Sequence, residues 1–168
     1  PLNFPTTFDG DYSHIRSGDD FAYDYNYKDN RLVCSFVESD SVMVTDDLNN
    51  TKWYNAKSRF LNSMTPHVNH PTEDVYDIIR WKEKGKYWHI MYDKYRDVYY
   101  RFAEMPCELA DNDDPYDEFV PRVREFSVIV LDKDFNIIGE TKFPGKKYFY
   151  KMSFVGRDGL YISENNLA

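Results

Sequence analysis

Two stretches of this chain repeat one another, and the repeat narrows the folds open to it more than any other feature. Ser41-Val42-Met43-Val44-Thr45-Asp46-Asp47-Leu48-Asn49 and Ser127-Val128-Ile129-Val130-Leu131-Asp132-Lys133-Asp134-Phe135-Asn136 share a strand-like run, an Asp turn, then an apolar residue and Asn. They begin 86 positions apart, about twice the 40–45 residues of a four-stranded propeller blade. A second unit precedes each copy. Tyr25 to Phe36 and Tyr92 to Phe102 both read as strand, charged turn and strand ending in Phe. Tyr150 to Ser163 reads as a third such unit, turning at Arg157-Asp158-Gly159.

Period-2 alternation of apolar and polar residues supports strands throughout, most clearly over Arg31–Val37, Ser41–Asp46, Val98–Phe102, Phe126–Leu131 and Gly159–Ser163. Polar turns at Lys28-Asp29-Asn30, Asp46-Asp47 and Lys133-Asp134 are spaced for tight hairpins. The expected fold is all-β, built of antiparallel four-stranded blades of a partial β-propeller with one short helix or insertion. Its parts would be a first blade over 18–60, an insertion over 61–85, a second blade over 86–144 and the start of a third over 145–168. The inner and outer turns lie 17 residues apart in the first unit and 36 in the second. The excess falls on 105–122, whose three prolines and acidic cluster suit an inserted loop. Thr72 to Gly85 follows Pro71 and combines N-terminal acids, Val75/Ile78/Ile79 spacing and a final Gly, which predicts a short amphipathic helix, with an extra strand as the competing reading. A ring needs four to eight blades, so two units and part of a third are expected to be a piece of a longer protein, or to associate through open sheet edges.

Charge limits the function classes. With 29 acidic and 21 basic residues the formal charge is −8, which disfavours the basic footprint of a nucleic-acid binder. The longest apolar runs, such as Val128 to Leu131, fall far short of the roughly 20 residues of a membrane-spanning helix. Cys34 and Cys107 form no CxxC pair and are expected to be unbridged.

Asp111, Asp113 and Asp117 gather hard oxygen ligands of the kind calcium takes. An EF-hand counted from Asp111 would need Gly and Glu where Tyr116 and Arg122 stand, so a solvated acidic loop is the competing reading. No other cofactor is indicated. His67 and His70 have a spacing that could share a metal but bring no third ligand, while His14 stands alone and His89, between Trp88 and Ile90, reads as a sheet residue. Neither G-x-S-x-G nor a phosphate-binding glycine loop occurs, so non-catalytic binding is expected ahead of catalysis. The 30 aromatic residues crowd into strands, where most serve the core. A surplus, with Trp88, Tyr95 and Tyr99 as candidates, would suit stacking on a sugar or anchoring a peptide, with Arg96 and Arg101 adding polar contacts or pairing with carboxylates.

The run Tyr92-Asp93-Lys94-Tyr95-Arg96-Asp97-Val98-Tyr99-Tyr100-Arg101-Phe102, with Phe126 to Asp132 and Gly159 to Asn166, resembles the Bacteroidetes lipoproteins grouped as domain of unknown function 4221. The similarity runs from about Phe21 to the end. It implies a six-bladed-propeller-like fold on a secreted, lipid-anchored protein, periplasmic or at the cell surface, about twice this length. The family brings no established activity and no site residues. The expected role is recognition of a glycan, peptide or protein, with an extracellular hydrolase or lyase as the alternative.

Overall fold

The computed structural model describes residues 21–62, 84–108 and 124–165. Its elements are β1 (Phe21–Asn26), β2 (Arg31–Phe36), β3 (Ser41–Thr45), β4 (Thr51–Asn55), β5 (Lys86–Asp93), β6 (Val98–Glu104), β7 (Phe126–Leu131), β8 (Ile137–Phe143), β9 (Tyr148–Gly156) and β10 (Gly159–Glu164). Among the described residues every regular element is a strand. They form two four-stranded sheets, β1-β2-β3-β4 and β5-β6-β7-β8, and a two-stranded β9-β10 sheet, all with neighbours antiparallel. Most of the stretch read as a helix, and the loop bearing Asp111, Asp113 and Asp117, lie outside the described residues, as do His14, His67 and His70.

Turn chemistry dictates where each strand ends. In the β3–β4 connection Thr45 Oγ1 accepts from the Leu48 amide at 2.9 Å, and Asp47 Oδ1 accepts from the amides of Asn49 and Asn50. In β7–β8 Asp132 Oδ1 takes the amides of Asp134 and Asn136. These side-chain oxygens give the chain hydrogen bonds that the ladder cannot supply at a reversal. Each loop then passes through the left-handed region at its apolar residue, Leu48 (φ 62°) and Phe135 (φ 66°). That conformation is unfavourable for a bulky side chain. At Phe135 burial repays it, because the ring stacks 4.9 Å from Tyr99 and packs 4.7 Å from Tyr54 of the first sheet.

The three sheets stack as layers. One core lies between the first two and includes Val33, Val42, Val44, Tyr87, Ile90, Tyr99, Ile129, Leu131 and Phe135. On the opposite face of the second sheet, Phe102, Phe126, Val128 and Tyr150 pack with Val155, Leu160 and Ile162 of β9–β10. The first strands of successive sheets lie beside one another, β5 contacting both β1 and β9. Asp24 of β1 accepts the Tyr92 amide of β5 at 2.7 Å. Gly85 sits just before β5, where a Cβ would come within 2.6 Å of the Leu61 side chain and 3.2 Å of the Glu104 carbonyl. The absence of a side chain at Gly85 permits this close approach.

Two further polar networks, at Arg101 and at Glu140, fasten the first interface. Arg101, in the middle of β6 and fully buried, donates to Ser35 Oγ (2.9 Å) and to the carbonyls of Ala56 (2.9 Å), Ser39 (2.6 Å), Ser41 (3.3 Å) and Phe36 (3.4 Å). Its guanidinium lies 3.6 Å from the Tyr87 ring centroid. Burial lowers its pKa to about 10, so it stays charged at neutral pH. At the far edge, Glu140 of β8 accepts from the hydroxyls of Ser58 and Ser127 and from the Arg59 amide. The Ser58 amide in turn donates to Tyr87 Oη, whose hydroxyl donates to Asp40.

Removing Arg101 strands a buried hydroxyl and four carbonyls. Arg101→Ala is expected to lower unfolding free energy by about 3–5 kcal/mol, and Arg101→Lys by a smaller but clear amount because an ammonium cannot span the same acceptors. Urea melts of the two variants beside the parent check this order.

Candidate functional site

The β1–β2, β5–β6 and β9–β10 hairpins bring three turns to one end of the stack. The first two are built alike, 67 positions apart. Asn26 Oδ1 accepts from the amides of Lys28 (2.9 Å) and Asp29 (3.2 Å), and Asp93 Oδ1 accepts from those of Tyr95 (2.9 Å) and Arg96 (3.1 Å). Each loop ends in a left-handed Asn or Asp, Asn30 (φ 55°) and Asp97 (φ 58°), residue types that tolerate that conformation. A tyrosine on the incoming strand then braces each one. Tyr25 donates to Asn30 Oδ1, and Tyr92 to Asp97 Oδ1 at 2.8 Å. The third turn is shorter, using Arg157, Asp158 and Gly159 at φ 154°.

Cross-turn bonds fix the three tips in a row. Lys28 Nζ pairs with Asp97 at 2.5 Å, and Asn26 Nδ2 donates to the Tyr99 hydroxyl at 2.8 Å, joining the first tip to the second. Arg96 joins the second to the third, its Nη1 on Asp93 (2.9 Å) and its Nη2 on the Arg157 carbonyl (3.0 Å). Tyr100 donates to the same Asp93 carboxylate at 3.0 Å. Burial pushes the Asp93 carboxyl upward, but Arg96, the two turn amides and Tyr100 together outweigh it and hold its pKa below the ordinary value. Asp97 is lowered chiefly by Lys28, then by Tyr92. With the tips locked, Tyr27 remains 80% exposed and Tyr95 49% exposed, the latter with Lys94 Nζ 5.1 Å from its ring.

The five residues expected to contact a ligand are thereby separated. Tyr95 and Arg96 stand together on the second tip. Tyr99 and Arg101 are fully buried and face the first sheet, Tyr99 against Phe135 and Arg101 on the carbonyls described above. Trp88 lies toward the other end of β5, half-buried, with Nε1 donating to Glu104 at 2.8 Å. Tyr27, Lys28 and the paired caps Asn26 and Asp93 were not among the residues expected to contact a ligand. Their signal is the repeat Tyr25-Asn26…Asn30 against Tyr92-Asp93…Asp97. Among the described residues no group of three or more His, Cys, Asp or Glu side chains is arranged to hold a metal, and no helix is long and apolar enough to cross a membrane. Cys34 and Cys107 are not bridged, and burial pushes the Cys34 thiol up to about 11.

Comparison with known proteins agrees with this architecture. The family profile for a domain of unknown function (DUF4221) matches residues 1–142, most of the chain. A crystal structure of a DUF4221 family member from Bacteroides vulgatus superposes with a TM-score of 0.84 at 66% sequence identity. The match covers 90% of this chain and 41% of that one, so the present chain spans less than half of its solved relative. No curated protein matches. The chain belongs to the DUF4221 family.

The turn design predicts two separable effects at Asp93. Asp93→Asn keeps a capping oxygen, as Asn26 does naturally, and should cost about 1 kcal/mol, whereas Asp93→Ala should cost about 2 kcal/mol or more. Because the folded pKa values of Asp93 and Asp97 are depressed, their contribution is complete above the unfolded value of about 4 and lost as pH falls through the folded values. Chemical denaturation between pH 7 and 2 should show this loss below about pH 4, with a shallower slope in Asp93→Asn.

Proposed function

We propose that this chain is part of an exported, propeller-like recognition protein that binds its ligand through the row of hairpin tips, and that the ligand is a glycan. The observation that carries this reading is the pair of exposed tyrosines, Tyr27 and Tyr95, held on turns whose backbone and side chains are fixed by cross-turn bonds. A rigid tyrosine offers a flat apolar face at little entropic cost, and the polar groups beside it supply orientation. Lys94 Nζ lies 5.1 Å from the Tyr95 ring, and the turns of the first and third hairpins carry Lys28, Arg157 and Asp158. That mixture of ring faces and hydrogen-bonding groups suits a saccharide.

The propeller reading is supported by the stacking of successive sheets with their first strands, β1, β5 and β9, side by side. In such a ring the tips between first and second strands surround the central opening, a common place for ligands. The solved relative extends well beyond the matched stretch, which leaves length for further blades. Export to the periplasm or cell surface, with a lipid anchor, is proposed with this reading on the family resemblance.

The test is binding of the full-length protein to a glycan array, followed by calorimetry on the hits. Tyr95→Ala and Tyr27→Ala should each weaken binding about tenfold, or about 1.4 kcal/mol, with unchanged melting temperature. Equal binding by the variants would remove the tips from the site. Binding to peptides alone would replace the glycan as ligand. Release of new sugar ends from a polysaccharide by the parent protein would replace recognition with a hydrolase or lyase.

A further inference from the structure

At the foot of the first hairpin tip, a cavity of about 90 Å³ lies against the face of the first sheet that is turned toward the second. Arg31, Val44, Lys52 and Tyr54 line it, together with residues of the β3–β4 turn. Arg31 precedes the buried Val33 by two residues on β2, and Lys52 precedes Tyr54 by two on β4, so strand alternation turns both cations to the face of that core. Val44 stands between them, opposite Val33 on one side and opposite Lys52 on the other. Strands two apart are separated by about 10 Å, a span over which two long cationic side chains can reach one group lying above Val44.

Neither cation is matched within hydrogen-bond distance. Among the described residues Lys52 makes no ion pair, and Arg31 meets only Asp29, at 3.9 Å. Asp46, the one carboxylate in the lining, pairs with neither. By contrast, Lys28 is held by Asp97 and Lys133 by Asp134. Tyr54 packs its ring on Phe135, and its hydroxyl has no hydrogen-bond partner among the described residues. Arg31 directly follows Asn30, the residue that closes the first tip. We propose that this cavity receives the carboxylate of an acidic sugar, so that the glycan bound at the tips is one bearing uronic-acid residues, an inference that rests on the tips being a glycan site. A guanidinium and an ammonium are strong donors to a carboxylate, and the Tyr54 hydroxyl is a further one. Val44 and the Tyr54 ring offer apolar surface to the sugar carbons beside it, which a bare inorganic anion would not use. The chain carries a formal charge of −8, so the carboxylate is held by these local donors rather than drawn by the protein's overall field.

The experiment is calorimetry on the full-length protein with uronic-acid oligosaccharides, their carboxyl-reduced neutral counterparts and sulfated neutral oligosaccharides. The acidic form is expected to bind about tenfold or more tighter than its reduced counterpart, an advantage that shrinks as salt is raised. Arg31→Gln and Lys52→Met should each remove much of that advantage and leave affinity for the neutral form and the melting temperature unchanged. Equal affinity for acidic and reduced forms, a preference that survives both substitutions together, or a response to the sulfated sugars alone would overturn the cavity's role. Tyr27→Ala and Tyr95→Ala separate that outcome from failure of the tip reading. If they still weaken binding, the tips remain a glycan site without the cavity; if no saccharide binds, or both variants bind as the parent does, the tip reading falls and the cavity assignment with it.

Discussion

Arg101 is a full positive charge in the middle of β6 whose five hydrogen bonds run to one hydroxyl and four carbonyl oxygens of the first sheet and the segments that flank it. A buried cation is tolerated only where its donors are met, and here the acceptors belong to backbone that must bend to reach them. The carbonyls of Phe36, Ser39 and Ser41 are gathered by the β2–β3 turn, and that of Ala56 by the exit from β4. The guanidinium thus sets the path of two connections and the seating of one sheet on the next. Tyr87 lies against its flat side and spends its hydroxyl on Asp40 and Ser58, extending the same network to Glu140 at the far edge.

With that interface fixed, the hairpin tips align as a consequence. Val33 and Val44 pack with Ile129 and Leu131 along the shared core. Asn26 reaches the Tyr99 hydroxyl, and Lys28 reaches Asp97. The third layer takes its position from a second apolar interface and from Arg96 on the Arg157 carbonyl. Outer faces keep exposed large apolar side chains, with Phe21 and Tyr23 on the first sheet and Met152, Phe154 and Tyr161 on the third. Leu48 occupies the place in the first sheet that Phe135 occupies in the second, and it is 58% exposed where Phe135 is 3% exposed. Phe135 enters the sheet before its own, packing on Tyr54 of β4; among the described residues no sheet lies on the corresponding side of Leu48.

All-β character and antiparallel hairpins were legible because period-2 alternation is a local signal, and the repeats marked corresponding turns before any contact was known. The same signal could not tell a buried arginine from an exposed one. Arg96 and Arg101 lie in one run, yet one caps a tip and the other is sunk between sheets. Tyr95 and Tyr99 divide in the same way, because which face of a strand is covered depends on what the rest of the chain stacks against it. Asn26 and Asp93 are both short polar residues at strand ends, and only their common spacing to Asn30 and Asp97 reveals a shared role.

Native-state hydrogen exchange on the intact protein tests most directly whether the Arg101 interface makes the first two sheets one structure. Amides of Val33 and Val44 in the first sheet and of Phe102 and Ile129 in the second are predicted to open with the same free energy and the same denaturant dependence. Exchange from the first sheet at a distinctly lower free energy, while the second stays protected, would contradict that account.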